Sequence, residues 1–329
     1  MTLLDCALAF VGLRNPQPPW PPRRLSLALQ GGGSFGAFTW GVLERLLEER
    51  VIAFDAVSGS SAGAVNAVLL ASGLADGGRA EATARLERFW RRMSASAAFL
   101  PSTALAGSPV AAGFGLIIRA LSPYQLNPFN LNPLREALVA EVDFARLRDN
   151  SPLRLLIAAT KVRDGRSHIF ADAELTVDAV LASACLPLLH HTVEIDGEPY
   201  WDGGYAANPP LLPLVQASDA PNVLIVQATP TKTERPPTTA REIAHRLEQI
   251  HFNATLNAEL DALRFGIIAG ATPKLRRLRI GRISAQDEFE GLEEESAVNL
   301  GWEFLQKLRE SGRRAVEAWL TEAAPREAA

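Results

Sequence analysis

Gly59-Ser60-Ser61-Ala62-Gly63 fits the pattern G-x-S-x-G, and the chemistry of a serine nucleophile accounts for each position. A serine on a sharp strand-to-helix turn projects its hydroxyl into a cleft, and flanking glycines tolerate strained backbone and close packing. The helix beginning there offers unpaired N–H groups and a positive dipole end to a developing oxyanion. Gly32-Gly33-Ser34-Phe35-Gly36 fits the same pattern and also joins a strand to a helix. The consecutive glycines Gly31, Gly32 and Gly33 suit a different task, since successive backbone N–H groups there can point at an anion, as an oxyanion hole requires. Ala62, Gly63 and Ala64 are the small residues that pack a helix tightly behind a nucleophile, so Ser61 is preferred to Ser34. A serine nucleophile needs a base. Asp202, followed by Gly203 and Gly204, is the best candidate, and a carboxylate held near Trp201 and Tyr205 would have a raised pKa.

Plainer readings exist for each motif. A tight turn with a capping serine also gives G-x-S-x-G, and Asp-Gly is a common turn, as Asp196-Gly197 is expected to be. Gly31-x-Gly33-x-x-Gly36 matches the dinucleotide fingerprint, with Asp55 about 20 residues on. Asp55, however, falls inside an apolar run that leads into a second glycine turn, which speaks against nucleotide binding. His245 and His251 would satisfy the order Ser, acid, His of an α/β-hydrolase triad. Both lie in a helical pattern, whereas His190 and His191 precede the acid. These placements leave Asp202 the best candidate base without excluding a histidine. The alternatives are a Ser-Asp-His triad and a catalytically silent protein that binds lipid or a partner.

The elements that must hold these loops follow from the apolar pattern. Leu25 to Gln30 and Val51 to Ser58 read as buried strands, each followed by a glycine turn and a helix, the second helix ending at Gly73. This repeated strand–turn–helix order predicts an α/β sheet with helices packed on it. Ligands bind at the strand C-termini of such sheets, where all three loops lie. Further strands are expected at Arg154 to Thr160, Ser167 to Phe170, Val223 to Gln227 and Leu275 to Ile280, with a hairpin of Thr192 to Ile195 and Pro199 to Trp201. Helices are expected over 79–93, from Leu134, and around REIAHRLEQIHFNATL. From Ala95 to Leu126 the only charge is Arg119, so this stretch reads either as core or as an apolar cap beside an acyl-chain pocket.

Composition narrows the classes. The 329 residues are 47% hydrophobic with a net charge of −4, so nucleic acid is not an expected partner. The two cysteines, Cys6 and Cys185, suggest neither a disulfide framework nor a metal site. The five histidines form no HxxxH or HExxH pair, so no metal and no cofactor is expected. The apolar run from Thr2 to Leu13 lacks a basic start, is broken by Asp5 and is too short to span a bilayer. A cytoplasmic protein, at most peripheral to a membrane, is expected. Residues 1–22 read as a tail and proline-rich linker, 23–323 as one domain and 324–329 as a frayed end.

Together LALQGGGSFGAFTWGVLERL, FDAVSGSSAGAVNA and WDGG resemble the patatin-like phospholipases in motif and in order, over roughly residues 25–210. The stretch around His251-Phe252-Asn253 is also similar to bacterial members. The resemblance implies a three-layer α/β/α fold with a mostly parallel sheet, and a serine hydrolase of fatty-acyl esters that works through a Ser–Asp dyad. It implies Ser61 as nucleophile within the elbow Gly59, Ser60, Ala62 and Gly63. It implies Asp202 as base and the loop of Gly31, Gly32, Gly33, Ser34 and Gly36 as oxyanion hole. One position departs from the pattern: many members carry a basic residue just before the last glycine of that loop, where this chain has Phe35. This favours neutral or less selective acyl esters over charged phospholipid.

Overall fold

A computed structural model describes residues 20–98, 121–233, 235–269, 272–288 and 299–322. Its centre is a sheet of strands β1 (Arg24–Leu29), β2 (Ala53–Ser60), β3 (Arg154–Lys161), β4 (Ser167–Phe170), β5 (Val193–Ile195), β6 (Glu198–Asp202), β7 (Asn222–Gln227) and β8 (Arg279–Ser284). The order is β5-β6-β3-β2-β1-β7-β8, with β4 on β3. The pairs from β3 through to β8 are parallel, and β4, β5 and β6 form antiparallel pairs at the other end.

Side-chain alternation along β1 builds three layers. Leu25, Leu27 and Leu29 point into one core, formed with helices α1 (Gly36–Glu48), α2 (Ala62–Ala98), α3 (Val177–Ser183) and, later in the chain, Trp302–Glu322. Ala28 points to the other face, into a core shared with Ile225, Leu156 and helices α4 (Leu211–Ala217) and α5 (Ala240–Ile268). A strand buried on both faces must be nearly all apolar, which is why LSLAL is so legible. The helix Trp302–Glu322, α6, crosses α1 so closely that a Cβ at Gly41 would sit 1.9 Å from the Arg309 carbonyl oxygen, and one at Gly312 2.1 Å from that of Phe38. Alanine is the better helix former, yet Gly41→Ala is expected to destabilise by about 2 kcal/mol through overpacking. Urea unfolding would check the sign.

The structure corrects several local expectations. The helix expected to end at Gly73 runs on, and the break falls at Gly77 and Gly78, the latter at φ 73°. Gly73 is instead the point where the two arms of α2 touch, since a Cβ there would meet the Ala82 backbone at 2.3 Å. The strand expected at Leu275 to Ile280 is a short helix, Pro273–Arg277, followed by β8. Thr272 caps that helix by accepting the Leu275 N–H, and Pro273 opens it. The expected hairpin is present, with Asp196 and Gly197 at φ 52° and 77°, the left-handed pair that a tight two-residue hairpin turn needs. Trp20, read as linker, donates its indole N–H to the Leu320 carbonyl at 2.7 Å and packs edge-on against Trp319. The terminal tails and most of the apolar stretch 95–126 lie outside the described residues. Among the described residues no helix is long and apolar enough to cross a membrane.

Candidate active site

Strand register brings the three loops to one edge. Leu29 pairs with Gly59, so the glycine loop after β1 and the serine turn after β2 leave the sheet side by side. Ser60 pairs with Ala158, and Asp202 at the end of β6 pairs with Ala159. Strand β3 is thus the ruler that puts residues 61 and 202 next to each other.

Ser61 is the one residue between β2 and α2. Its φ of 54° is left-handed, a conformation that costs a residue with a side chain about 1–2 kcal/mol. The fold holds it there. The Ser61 N–H donates to both the carbonyl and the hydroxyl oxygen of Ser183, each at 3.0 Å, and its carbonyl accepts Val65 N–H at 3.1 Å to start the helix. A Cβ at Gly63 would lie 2.1 Å from the Leu29 carbonyl oxygen, and one at Gly59 would meet Gly63, so both glycines of the motif are required by packing. Ser60 points away and donates its hydroxyl to the Ala207 carbonyl. Ser61 is 7% exposed, while Ser34 is shut in at 1%.

Asp202 is fully buried. Its main chain is locked by the Asp202 N–H donating to Cys185 O at 2.8 Å and by Thr160 Oγ1 donating to Asp202 O at 2.7 Å. Oδ1 accepts the Gly204 N–H at 2.7 Å. Loss of water pushes its pKa up to about 7; the Ser61 hydroxyl and the Gly204 N–H pull the other way. The serine is near enough to favour the charged carboxylate without an aligned hydrogen bond, for Oδ2 has no hydrogen-bond partner among the described residues. A buried carboxylate with a spare lone pair, facing a hydroxyl and titrating near neutrality, is a competent general base.

The glycine loop lies directly on this pair: a Cβ at Gly31 would be 2.7 Å from Ser61 Cβ. Gly33 is left-handed at φ 59° and opens a single tight turn, Gly33–Phe35. The Gly31 N–H is taken by Asn208 Oδ1 at 2.7 Å, so Gly31 forms a wall of the site and has no donor to spare. The Gly36 N–H is turned back onto the carbonyls of Gly33 and Ser34. Asn66 ties loop to elbow by donating to the carbonyls of Gly36 and Ala62 at 3.0 and 2.9 Å. The Phe35 ring is buried against Phe304 of α6, so at this loop position the side chain faces the core.

A family model described as patatin-like phospholipase matches residues 27–215, more than half of the chain and all three motif loops. The chain belongs to the patatin-like phospholipase family. Among solved structures, VipD from Legionella pneumophila is similar at 15% identity and a TM-score of 0.38, over 88% of this chain and 67% of that one. The type III effector protein ExoU is similar at 19% identity and a TM-score of 0.37, over 93% of this chain and 53% of ExoU, so the chain spans about half of ExoU's length. No curated protein matches. Family membership supports a lipid ester hydrolase with the patatin-like α/β fold.

Within this patatin-like chain the remaining candidates fall elsewhere. His245 and His251 lie on α5, and the His251 ring packs near those of Tyr205 and Phe252, with centroids at 5.6 and 6.4 Å. His191 stacks on Tyr124. Among the described residues no histidine hydrogen-bonds to Ser61 or Asp202. Asp55 sits at the opposite sheet edge, accepting from Arg24, from Ser218 Oγ at 2.8 Å and from the N–H groups of Asp219 and Ala220 at 2.7 and 3.0 Å. It is fully engaged there, far from the loop a dinucleotide would use. Among the described residues no cluster of His, Cys, Asp and Glu could hold a metal ion. Sequence reasoning missed Ser183, which holds the serine, and Asn208, which holds the glycine loop. Asn208 lies six residues after Asp202 in DGGYAANPP, and a polar side chain flanked by that much small and apolar sequence was the available signal.

Proposed function

We propose that the chain hydrolyses fatty-acyl esters through a Ser61–Asp202 dyad. The observation that carries this reading is a serine held at left-handed φ beside a wholly buried carboxylate whose pKa is about 7. Asp202 takes the proton from Ser61 Oγ as that oxygen attacks the ester carbonyl, and N–H groups of the glycine loop receive the oxyanion. As the carbonyl re-forms, the bond to the leaving oxygen breaks and Asp202 returns the proton to it, which releases the alcohol and leaves an acyl-serine. A water molecule, deprotonated by Asp202, then attacks the acyl-enzyme, and Ser61 leaves with the proton. No histidine enters. With Phe35 turned into the core, the loop has no cation at that position for a lipid phosphate, which favours neutral acyl esters as substrates.

A fluorophosphonate probe should label Ser61, with the site read by mass spectrometry. Labelling at Ser34 instead would sink the assignment, and a folded protein that neither labels nor turns over an ester would support a silent binding protein.

Only the ionised form of Asp202 accepts a proton. With its pKa near 7, kcat/KM on p-nitrophenyl butyrate should rise about tenfold between pH 6 and pH 8. A profile already flat from about pH 5 would mean that the base has an ordinary carboxylate pKa. His245→Gln and His251→Gln should each keep activity within about threefold; a loss of about a thousandfold in a folded variant would restore a triad.

A further inference from the structure

The glycine loop is gripped from outside by two side chains that lie in different parts of the chain. We propose that Thr229 and Asn208 are positioning residues that clamp the two peptide planes flanking Gly31 and so aim the Gly32 N–H at the oxyanion. This rests on the ester-hydrolase reading above.

The argument is geometric. A trans peptide holds its C=O and the next N–H on opposite sides of one plane. Thr229 Oγ1 donates to the Gly31 carbonyl at 3.2 Å, so it fixes the plane that carries the Gly32 N–H. Asn208 Oδ1 accepts the Gly31 N–H at 2.7 Å and fixes the plane before it. The turn hydrogen bond from Phe35 N–H to Gly32 O, 3.2 Å, then sets the plane of Gly33 N–H. Among the described residues the N–H groups of Gly32 and Gly33 have no acceptor. A loop of glycines has the widest choice of orientation of any sequence, so whatever fixes these planes decides whether the donors are preorganised.

Both clamps are themselves held. Thr229 lies two residues past the end of β7, is buried, and donates its N–H to Gln30 Oε1 at 2.8 Å. Asn208 is fully buried and donates to the Phe252 carbonyl on α5 at 3.2 Å, while its N–H donates to Thr255 Oγ1 at 3.3 Å. Asn253, on the same turn of α5, accepts from Gln30 Nε2 at 2.9 Å and Gln227 Nε2 at 2.8 Å, and donates to the carbonyls of Pro230 and Gln249. The loop is thus referenced to β7 and to α5, beyond residue 215, where the family match ends.

Thr229→Val keeps the shape and removes the hydroxyl; Thr229→Ser keeps the hydroxyl. With p-nitrophenyl butyrate, Thr229→Val should lower kcat about 10- to 100-fold, as a mis-aimed oxyanion donor does, with KM within about threefold. Amide hydrogen exchange over residues 30–36 should quicken in the same variant. Thr229→Ser should stay within about threefold of wild type in kcat and exchange like it. Asn208→Leu should lose kcat similarly; if it fails to fold, the threonine pair alone decides. Wild-type kcat in Thr229→Val, a loss confined to KM, a serine variant as impaired as the valine one, or unchanged exchange would each overturn the proposal. A wild-type protein that cleaves no ester would sink the hydrolase reading, and the exchange comparison would still test the clamp.

Discussion

Asp202→Asn is expected to lower ester hydrolysis by about 10⁴-fold or more and, at pH 8, to make the protein more stable than wild type. The first effect follows because an amide cannot take the serine proton, and nucleophile and base act as a unit, so losing either costs nearly as much as losing both. The second follows from burial. The carboxyl holds its proton more tightly when folded, at a pKa near 7 against an ordinary 3.8. A group with a raised folded pKa contributes stability that is fully present below about pH 4 and is lost as pH climbs through 7. At pH 8 the protein therefore carries an ionised, wholly buried group whose cost is a few kcal/mol. Asparagine removes that charge while keeping an acceptor for the Gly204 N–H. Its new N–H donors, placed where Oδ2 now lies without a partner, return part of the cost. A melting temperature a few degrees above wild type at about pH 8, with the gain gone by about pH 5, is the expected result of thermal scans at both values. A variant less stable than wild type at the higher pH would mean that water reaches the carboxylate and that its pKa is ordinary.

Ser61→Ala should abolish fluorophosphonate labelling and reduce turnover by about 10⁴- to 10⁶-fold, with the fold intact. Alanine retains the Cβ, and hence the strain of a left-handed φ of 54°. Ser61→Gly relieves that strain, which is worth about 1 kcal/mol once glycine's extra unfolded-state freedom is charged against it. The glycine variant should then be as inactive as the alanine one and melt at the same temperature or higher. An alanine variant with more than about 1% of wild-type kcat would move the nucleophile elsewhere, with Ser34 the first place to look.

Residue types and spacing were enough to find the parts. LSLALQ before three glycines, a G-x-S-x-G turn before Ala62, Gly63 and Ala64, and WDGG near the end of a hairpin each carry their local structure in their own composition. Strands buried on both faces are uniformly apolar, and turns that need left-handed backbone select Gly or Asp-Gly. The family likeness added the pairing of serine with aspartate. Local pattern failed where short-range signals conflict. Pro273 and the Thr272 cap made a helix of residues read as the start of a strand, and Gly73 read as a helix stop when its lack of a side chain serves a contact with Ala82. The assembled site was not legible, because it depends on distances between segments far apart in sequence. Only the strand order β6-β3-β2-β1-β7 puts Asp202 across β3 from Ser60. Only burial within that arrangement raises the aspartate to a pKa near 7. The loop's spare donors are likewise decided by Asn208 and Thr229, which reach Gly31 from 177 and 198 residues away. A sequence specifies which groups have hydrogen bonds to make; which of them meet is settled only when the chain has packed.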